Sequence, residues 1–147
     1  MDASKVYLTQ TDTTVGFLSS DDKKLTAIKQ RPHTQKILQV VDSFETLKTK
    51  VRVPCKFKKM VRKSQKTTFI YPNQQSFRVI NNASSHHDFI KKFKVMYSTS
   101  ANLTTHKFDE TFAKESVDVI VEDKNGFFEA ASSQLIKFSC TKIKRLR

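Results

Sequence analysis

The chain has 147 residues, of which 37% are hydrophobic and 28% are charged, and its formal net charge is +13. This composition excludes a disordered or fibrous chain, and the length favours a single globular domain. The charge favours polyanionic partners, such as nucleic acid, nucleotide phosphates or an anionic membrane surface, although lysine-rich surfaces also serve solubility alone.

Hydrophobic periodicity divides the chain into short alternating strands and helices. In chain order, the sequence predicts a strand at 5–8, a polar loop at 9–17, a helix capped by Ser19 or Ser20, a strand at 37–41, a helix capped by Ser43, a helix at Pro54, a hairpin of strands 67–71 and 76–80, a helix capped by Ser84 or Ser85, a strand at 93–97, a helix at 111–115, and strands at 117–121, 134–138 and 141–146. We therefore predict an α+β fold: one domain over residues 1–147, with a twisted mixed parallel and antiparallel sheet and flanking helices.

The cysteines and the apolar segments indicate the cellular compartment of the protein. Cys55 and Cys140 lack the spacing of a metal-binding motif, which favours a reduced intracellular chain with two inert thiols. The start of the chain has no long apolar segment, and no apolar run approaches the length of a membrane span. We expect a cytoplasmic protein without membrane association. We also expect a monomer, since no segment predicts a coiled coil or a large apolar interface.

Two polar segments are the strongest candidates for a ligand site. Residues 98–102 follow an apolar strand, where small hydroxyl and amide side chains can hydrogen-bond a polar ligand. Lys29 and Arg31 fall near the end of the first helix, where they either converge on a phosphate or remain a solvated pair that favours the helix dipole. Gly16 is one of only two glycines, which indicates a positive φ or a close ligand approach.

No combination of Ser, Cys or His resembles a nucleophile with its base, and no glycine-rich phosphate loop is present. Any phosphate must then be held by side chains and hydroxyls.

Separately, residues 46–87 contain no acidic residue. This basic segment predicts an RNA-binding surface. The residues predicted to form it are Lys56, Lys58, Lys59, Arg62 and Lys63.

Several short motifs follow one another along the chain. They are residues 10–17 (Gln-Thr-Asp-Thr-Thr-Val-Gly-Phe), Lys29-Gln30-Arg31-Pro32, Thr68-Phe69-Ile70-Tyr71, Phe77-Arg78-Val79-Ile80, Thr99-Ser100-Ala101-Asn102, Ser133-Gln134-Leu135-Ile136 and Ile143-Lys144-Arg145. In this order they resemble the motifs of the YrdC/YciO family, the threonylcarbamoyl-AMP synthases of tRNA modification. The chain departs from the family pattern at Gln10 and Val15, and it lacks several of the family's glycines.

The resemblance implies an enzyme that condenses L-threonine, bicarbonate and ATP to threonylcarbamoyl-AMP and pyrophosphate, with Mg²⁺ as the accompanying ion. Downstream proteins then transfer the threonylcarbamoyl group to tRNA. No covalent nucleophile and no protein metal ligand are implied. The residues implied to bind ATP are Lys29, Arg31, Thr68, Ser100, Asn102 and Arg145. Those implied to bind threonine are Thr11, Arg78 and Ser133. The alternative is a YrdC-like domain that has lost turnover and binds tRNA or double-stranded RNA.

Overall fold

The computed structural model describes residues 1–80 and 83–147. In chain order, the elements are β1 (Tyr7–Gln10), β2 (Val15–Ser19), α1 (Asp22–Lys29), β3 (Leu38–Val41), α2 (Phe44–Lys50), a 3-10 helix (Cys55–Phe57), α3 (Lys58–Lys63), β4 (Thr67–Ile70), β5 (Ser76–Val79), α4 (Ser85–Phe93), β6 (Val95–Ser100), α5 (Glu110–Glu115), β7 (Val119–Val121), β8 (Gln134–Phe138) and β9 (Ile143–Arg145). None of the described helices is both long and apolar enough to cross a membrane.

The described residues form two compact units. Unit 1 comprises Met1–Ile37 and Met96–Ser132, and unit 2 comprises Leu38–Val95 and Ser133–Arg147. In unit 1, β2 pairs antiparallel with β1 and β6, while β7 pairs parallel with β1. In unit 2, β5 pairs parallel with β3 and antiparallel with β4, and β8 pairs parallel with β4 and antiparallel with β9. The predicted α+β class with a mixed sheet is confirmed, whereas the single-domain assignment stays a prediction.

The polar segment predicted as a loop over 9–17 is largely a β-hairpin, so that prediction is wrong. β1 continues through Gln10, and β2 already begins at Val15. The Gln10 side chain is buried, and its Oε1 accepts from the backbone N–H of Phe128 at 3.1 Å. A polar sequence therefore forms a buried hairpin here, in which the Gln10 amide oxygen has a partner inside unit 1, whereas its Nε2 has no hydrogen-bond partner among the described residues.

Helix α1 begins and ends at residues that the sequence only partly indicates. Its N-cap is Asp21, whose side chain accepts from the backbone N–H groups of Lys23 and Lys24, so the predicted Ser19 or Ser20 cap is wrong. A carboxylate at this position also complements the helix dipole. The C-cap of the helix is Gln30, whose positive φ of 52° terminates the helix. Lys29 is consequently the last helical residue, and Arg31 lies beyond the helix.

The core of unit 2 is aromatic and is centred on Phe138 of β8. The ring of Phe138 is stacked on Phe57 and Phe69, with centroid distances of 4.9 and 5.0 Å, and it meets Tyr71 edge-on at 5.4 Å. Such pairs add to the free energy gained from burying their apolar surface. The predicted caps of α2 and α4 are confirmed as Ser43 and Ser84, whose hydroxyls accept backbone N–H groups of the first turn.

Candidate functional site

The ammonium group of Lys29 is buried against the end of β6. The Lys29 side chain is only 1% exposed, and its Nζ donates to Ser100 O and Asn102 Oδ1, both at 2.9 Å, to Ser100 Oγ at 3.3 Å, and to Asn102 O. Ser100 Oγ in turn donates to Asn102 Oδ1 at 2.6 Å. We call these three residues the Lys29 cluster. The interpretation of Lys29 as a solvated helix-end cation is therefore wrong.

The Lys29 cluster holds a positive charge at a fixed position. Burial, and secondarily the charge of Arg31, lowers the pKa of Lys29 to about 8, so the group remains mainly protonated at neutral pH. An ammonium has three N–H donors, and here four oxygens share them. The donors of the ammonium are therefore all engaged within the Lys29 cluster. This arrangement suits an anionic or strongly polar ligand.

Arg31 is attached to the same part of unit 1 through Thr104, a residue that no motif singled out. Arg31 Nε donates to Thr104 Oγ1 at 3.4 Å, and Thr104 Oγ1 donates to the backbone oxygen of Lys29 at 2.9 Å. Thr104 thereby holds the end of α1 next to the loop that follows β6. The structure thus brings together four of the predicted ATP-binding residues, namely Lys29, Arg31, Ser100 and Asn102.

A cavity of about 290 Å³ lies beside the Lys29 cluster, within unit 1. Ser100 and Asn102 form part of its wall, together with Thr14, Phe108 and Glu129. Glu129 Oε1 accepts from the backbone N–H of Phe108 at 2.7 Å, which fixes both residues at the cavity. Hydroxyls, an amide, a carboxylate and an aromatic ring are suited to a polar organic ligand. Sequence reasoning missed Phe108 and Glu129, because neither belongs to a recognisable motif.

Thr11 and Gly16 shape the β1–β2 hairpin. Thr11 Oγ1 donates to Thr14 O at 2.6 Å and accepts from Thr13 N at 3.2 Å, so its hydroxyl closes the turn. Gly16 has no positive φ, but a Cβ added there would lie 3.0 Å from Thr11 Cγ2 and 3.0 Å from the backbone oxygen of Thr99. The close approach of β6 explains this glycine.

We expect Gly16→Ala to lower the free energy of unfolding by about 1–3 kcal/mol, because the added methyl forces β2 and β6 apart. Urea unfolding followed by far-UV circular dichroism measures this change. A loss below about 0.5 kcal/mol would mean that the two strands move apart easily at this position.

Four of the other residues predicted to bind ATP or threonine lie in unit 2, namely Thr68, Arg78, Ser133 and Arg145. The hydroxyls of Thr68 and Ser133 are both buried and share a hydrogen bond of 2.9 Å. Arg147, which was not predicted, donates from Nε to Ser133 O at 3.0 Å. Arg145 lies on β9 and is exposed. The structure therefore brings Thr68 and Ser133 into contact, and their ligand assignments stay predictions.

The predicted threonine-binding residue Arg78 lies on β5 and is buried, with 6% exposure. His86 on α4 is 3% exposed, and neither of its ring nitrogens has a hydrogen-bond partner among the described residues. Burial, followed by the charges of Arg78 and His87, lowers the pKa of His86 to about 3. His86 is therefore neutral in the folded protein at pH 7.

This lowered pKa predicts acid sensitivity. Between the unfolded pKa of 6.5 and the folded pKa of about 3, the unfolded chain binds the proton more tightly, so the contribution of His86 to stability falls as pH falls through this window. Relative to His86→Leu, wild-type stability should fall by up to about 1.4 kcal/mol per pH unit, measured by urea unfolding. The exposed control His106→Gln should follow the wild-type curve. Parallel curves for wild type and His86→Leu would contradict the prediction.

The predicted RNA-binding residues lie around the 3-10 helix and α3 of unit 2. Lys56, Lys59, Arg62 and Lys63 are exposed, and Lys58 is half-buried. The guanidinium of Arg62 lies 4.7 Å from the ring centroid of Phe44. This geometry keeps the charges of the segment at the surface of the unit, where a polyanion can reach them.

Comparisons with known proteins give the class of fold. Neither the protein-family models nor the curated proteins match this chain. Sua5 from P. abyssi, solved as a complex with L-threonine, superposes with a TM-score of 0.81 and 15% identity over 98% of this chain and 50% of its own. YciO from E. coli gives 0.76 and 17%, covering 98% and 82% of the two chains. MTH1692 from Methanobacterium thermoautotrophicum gives 0.71 and 16%, covering 98% and 80%.

The chain therefore has a YrdC/Sua5-like fold, and the resemblance found in the sequence is confirmed at the level of the fold. It spans about half the length of the Sua5 chain. At identities of 15–17%, the similarity establishes the fold and does not establish the reaction.

Proposed function

We propose that the protein is an L-threonylcarbamoyladenylate synthase, which condenses L-threonine, bicarbonate and ATP to threonylcarbamoyl-AMP and pyrophosphate for tRNA modification. The observation that carries this proposal is the Lys29 cluster, which sets a buried ammonium, a hydroxyl and an amide beside a cavity in a YrdC/Sua5-like fold. The complex of the structural neighbour Sua5 with L-threonine supports threonine as the amino-acid substrate.

The chemistry fits a site without a protein nucleophile. The amine of L-threonine attacks the carbon of bicarbonate, an N–C bond forms and water leaves, which gives a carbamate. A carbamate oxygen then attacks the α-phosphorus of ATP. A new P–O bond forms as the bond to pyrophosphate breaks. Negative charge builds on the phosphoryl oxygens, and preorganised donors such as Lys29 Nζ and Ser100 Oγ stabilise it. Holding the reactants in line supplies much of the remaining rate enhancement.

Mg²⁺ is proposed as the ion that accompanies ATP. Among the described residues, no group of three His, Cys, Asp or Glu side chains could hold a metal ion. In nucleotide sites, substrate phosphates and water supply most of the Mg²⁺ ligands, and the protein adds one or two carboxylates. Glu129, at the cavity wall, is the carboxylate available for that role. The bound ion would neutralise phosphate charge.

The test is a threonine-dependent release of pyrophosphate. Purified protein is incubated with ATP, Mg²⁺ and bicarbonate, with or without L-threonine, and the adenylate product is identified by mass spectrometry. Pyrophosphate release and a threonylcarbamoyl-AMP mass only when threonine is present support the proposal. L-valine, which lacks the hydroxyl, is the matched control substrate. The absence of any threonine-dependent product at high protein concentration would overturn the assignment as an enzyme.

Direct binding of tRNA or double-stranded RNA is a second candidate function, favoured by the exposed cations around α3. Release of counterions makes such binding weaken steeply with salt, with a log–log slope of about −0.9 per phosphate contact on B-form DNA. Lys59→Gln combined with Lys63→Gln should reduce both the affinity for tRNA and this slope, whereas Lys23→Gln on α1 should reduce them less. An affinity that barely changes between low and moderate salt would contradict the candidate.

A further inference from the structure

Both cysteines of the chain line one cavity in unit 2, although they are far apart in the sequence. The cavity has a volume of about 520 Å³, and Cys55 and Cys140 form its wall together with Arg52, Pro54 and Asn73. Both thiols are free and exposed. The two cysteines are therefore accessible to solution reagents, and the inertness that the sequence predicted for them stays a prediction.

The fold holds the two cysteine-bearing segments side by side. Cys55 opens the 3-10 helix, where Phe57 N donates to Pro54 O at 2.9 Å. Phe57 lies two residues after Cys55, and Phe138 lies two residues before Cys140. The rings of these two phenylalanines stack with a centroid distance of 4.9 Å and an interplanar angle of 4°. This stack lies in the hydrophobic core of unit 2. The core thus fixes both segments at the lining of this cavity.

Cys140 lies in a short turn between β8 and β9. Ser139 N donates to Lys142 O at 2.9 Å, and Lys142 N donates to Ser139 Oγ at 2.9 Å. These bonds fix the base of the turn and leave Cys140 at its exposed tip. A disulfide requires Cα atoms within about 7 Å and a suitable Cβ direction.

We propose that Cys55 and Cys140 form a redox-responsive pair that a hydroperoxide oxidises to an intramolecular disulfide. One thiolate attacks the peroxide oxygen, which gives a sulfenic acid and water when the oxidant is hydrogen peroxide. The second thiolate then attacks the sulfenic sulfur, the S–S bond forms and a second water leaves. In total, two thiols lose two protons and two electrons, and one peroxide becomes two waters.

The disulfide would tie the β8–β9 turn to the 3-10 helix that leads directly into α3. It would close a loop between residues 55 and 140, and such a cross-link restricts the unfolded chain more than the folded one. We therefore expect the oxidised protein to unfold at a higher urea concentration than the reduced protein. The two cysteines belong to unit 2, whereas the Lys29 cluster belongs to unit 1.

The experiment treats dilute full-length protein with hydrogen peroxide and measures intact mass and free thiols. The expected result is a mass loss of two hydrogens, loss of both titratable thiols, a monomer on a non-reducing gel and full reversal by dithiothreitol. Peptide mapping should join the peptides that contain Cys55 and Cys140. The matched variants Cys55→Ser and Cys140→Ser should instead gain one oxygen on the remaining thiol, which dimedone traps.

Two results would overturn the proposal. In the first, wild-type thiols gain oxygen independently, at the rates seen in the single variants and without loss of two hydrogens. In the second, the disulfides join separate chains even at high dilution, which would show that the two sulfurs do not meet within one molecule.

Discussion

Lys29→Met should lower threonine-dependent pyrophosphate release by about 100-fold or more. The substitution keeps an unbranched side chain of similar length and removes the ammonium that Ser100 and Asn102 surround. Removing one preorganised donor from a site where charge develops typically costs 10²–10³ in kcat. Steady-state pyrophosphate release measured at saturating ATP and threonine gives the ratio directly.

Lys23→Met is the matched control, since Lys23 lies on the same helix and is exposed. It should retain the wild-type rate within about twofold. Far-UV circular dichroism and urea unfolding of both variants separate a loss of chemistry from a loss of fold. A folded Lys29→Met protein with wild-type turnover would remove the Lys29 cluster from the mechanism, even if the protein proves to be a synthase.

Phe138→Ala should lower the free energy of unfolding of unit 2 by about 3–5 kcal/mol. The side chain is 1% exposed and packs on Phe57, Phe69 and Tyr71, so its removal leaves a cavity among three rigid rings. Urea unfolding followed by far-UV circular dichroism measures the loss, and tyrosine fluorescence gives a second signal because the chain has no tryptophan.

The exposed Phe128 supplies the control for this second prediction. Its side chain is 49% exposed, so Phe128→Ala should change stability by no more than about 0.5 kcal/mol. A loss below about 1 kcal/mol for Phe138→Ala would mean that the neighbouring rings collapse into the vacated space.

Local sequence rules predicted the elements whose signals are local. The strand predicted at residues 134–138 is β8 with the same bounds, and serine hydroxyls predicted the caps of α2 and α4. The β1–β2 hairpin was missed because Gln10 and its neighbours are polar yet buried, and burial depends on partners distant in sequence. For the same reason β6 extends to Ser100, where pairing with β2 continues through hydroxyl residues beyond the strand predicted at 93–97.

The candidate site was predictable only in part. Motif resemblance selected Lys29, Ser100 and Asn102, but no spacing rule could show that Lys29 Nζ is buried against the other two. Thr104 and Glu129 carry no motif, and their positions follow from the loops that the fold brings to the cavity. Side-chain chemistry that depends on long-range packing therefore has to be read from the structure.

The Lys29 cluster also has a consequence for how the chain folds. Its hydrogen bonds join residues 71 and 73 positions apart. Contacts of such long sequence separation pay a large loop-closure entropy and tend to form late. The chain must therefore complete much of unit 1 before this ammonium acquires its oxygen neighbours. A partly folded chain accordingly lacks the fixed arrangement of oxygens around the Lys29 ammonium.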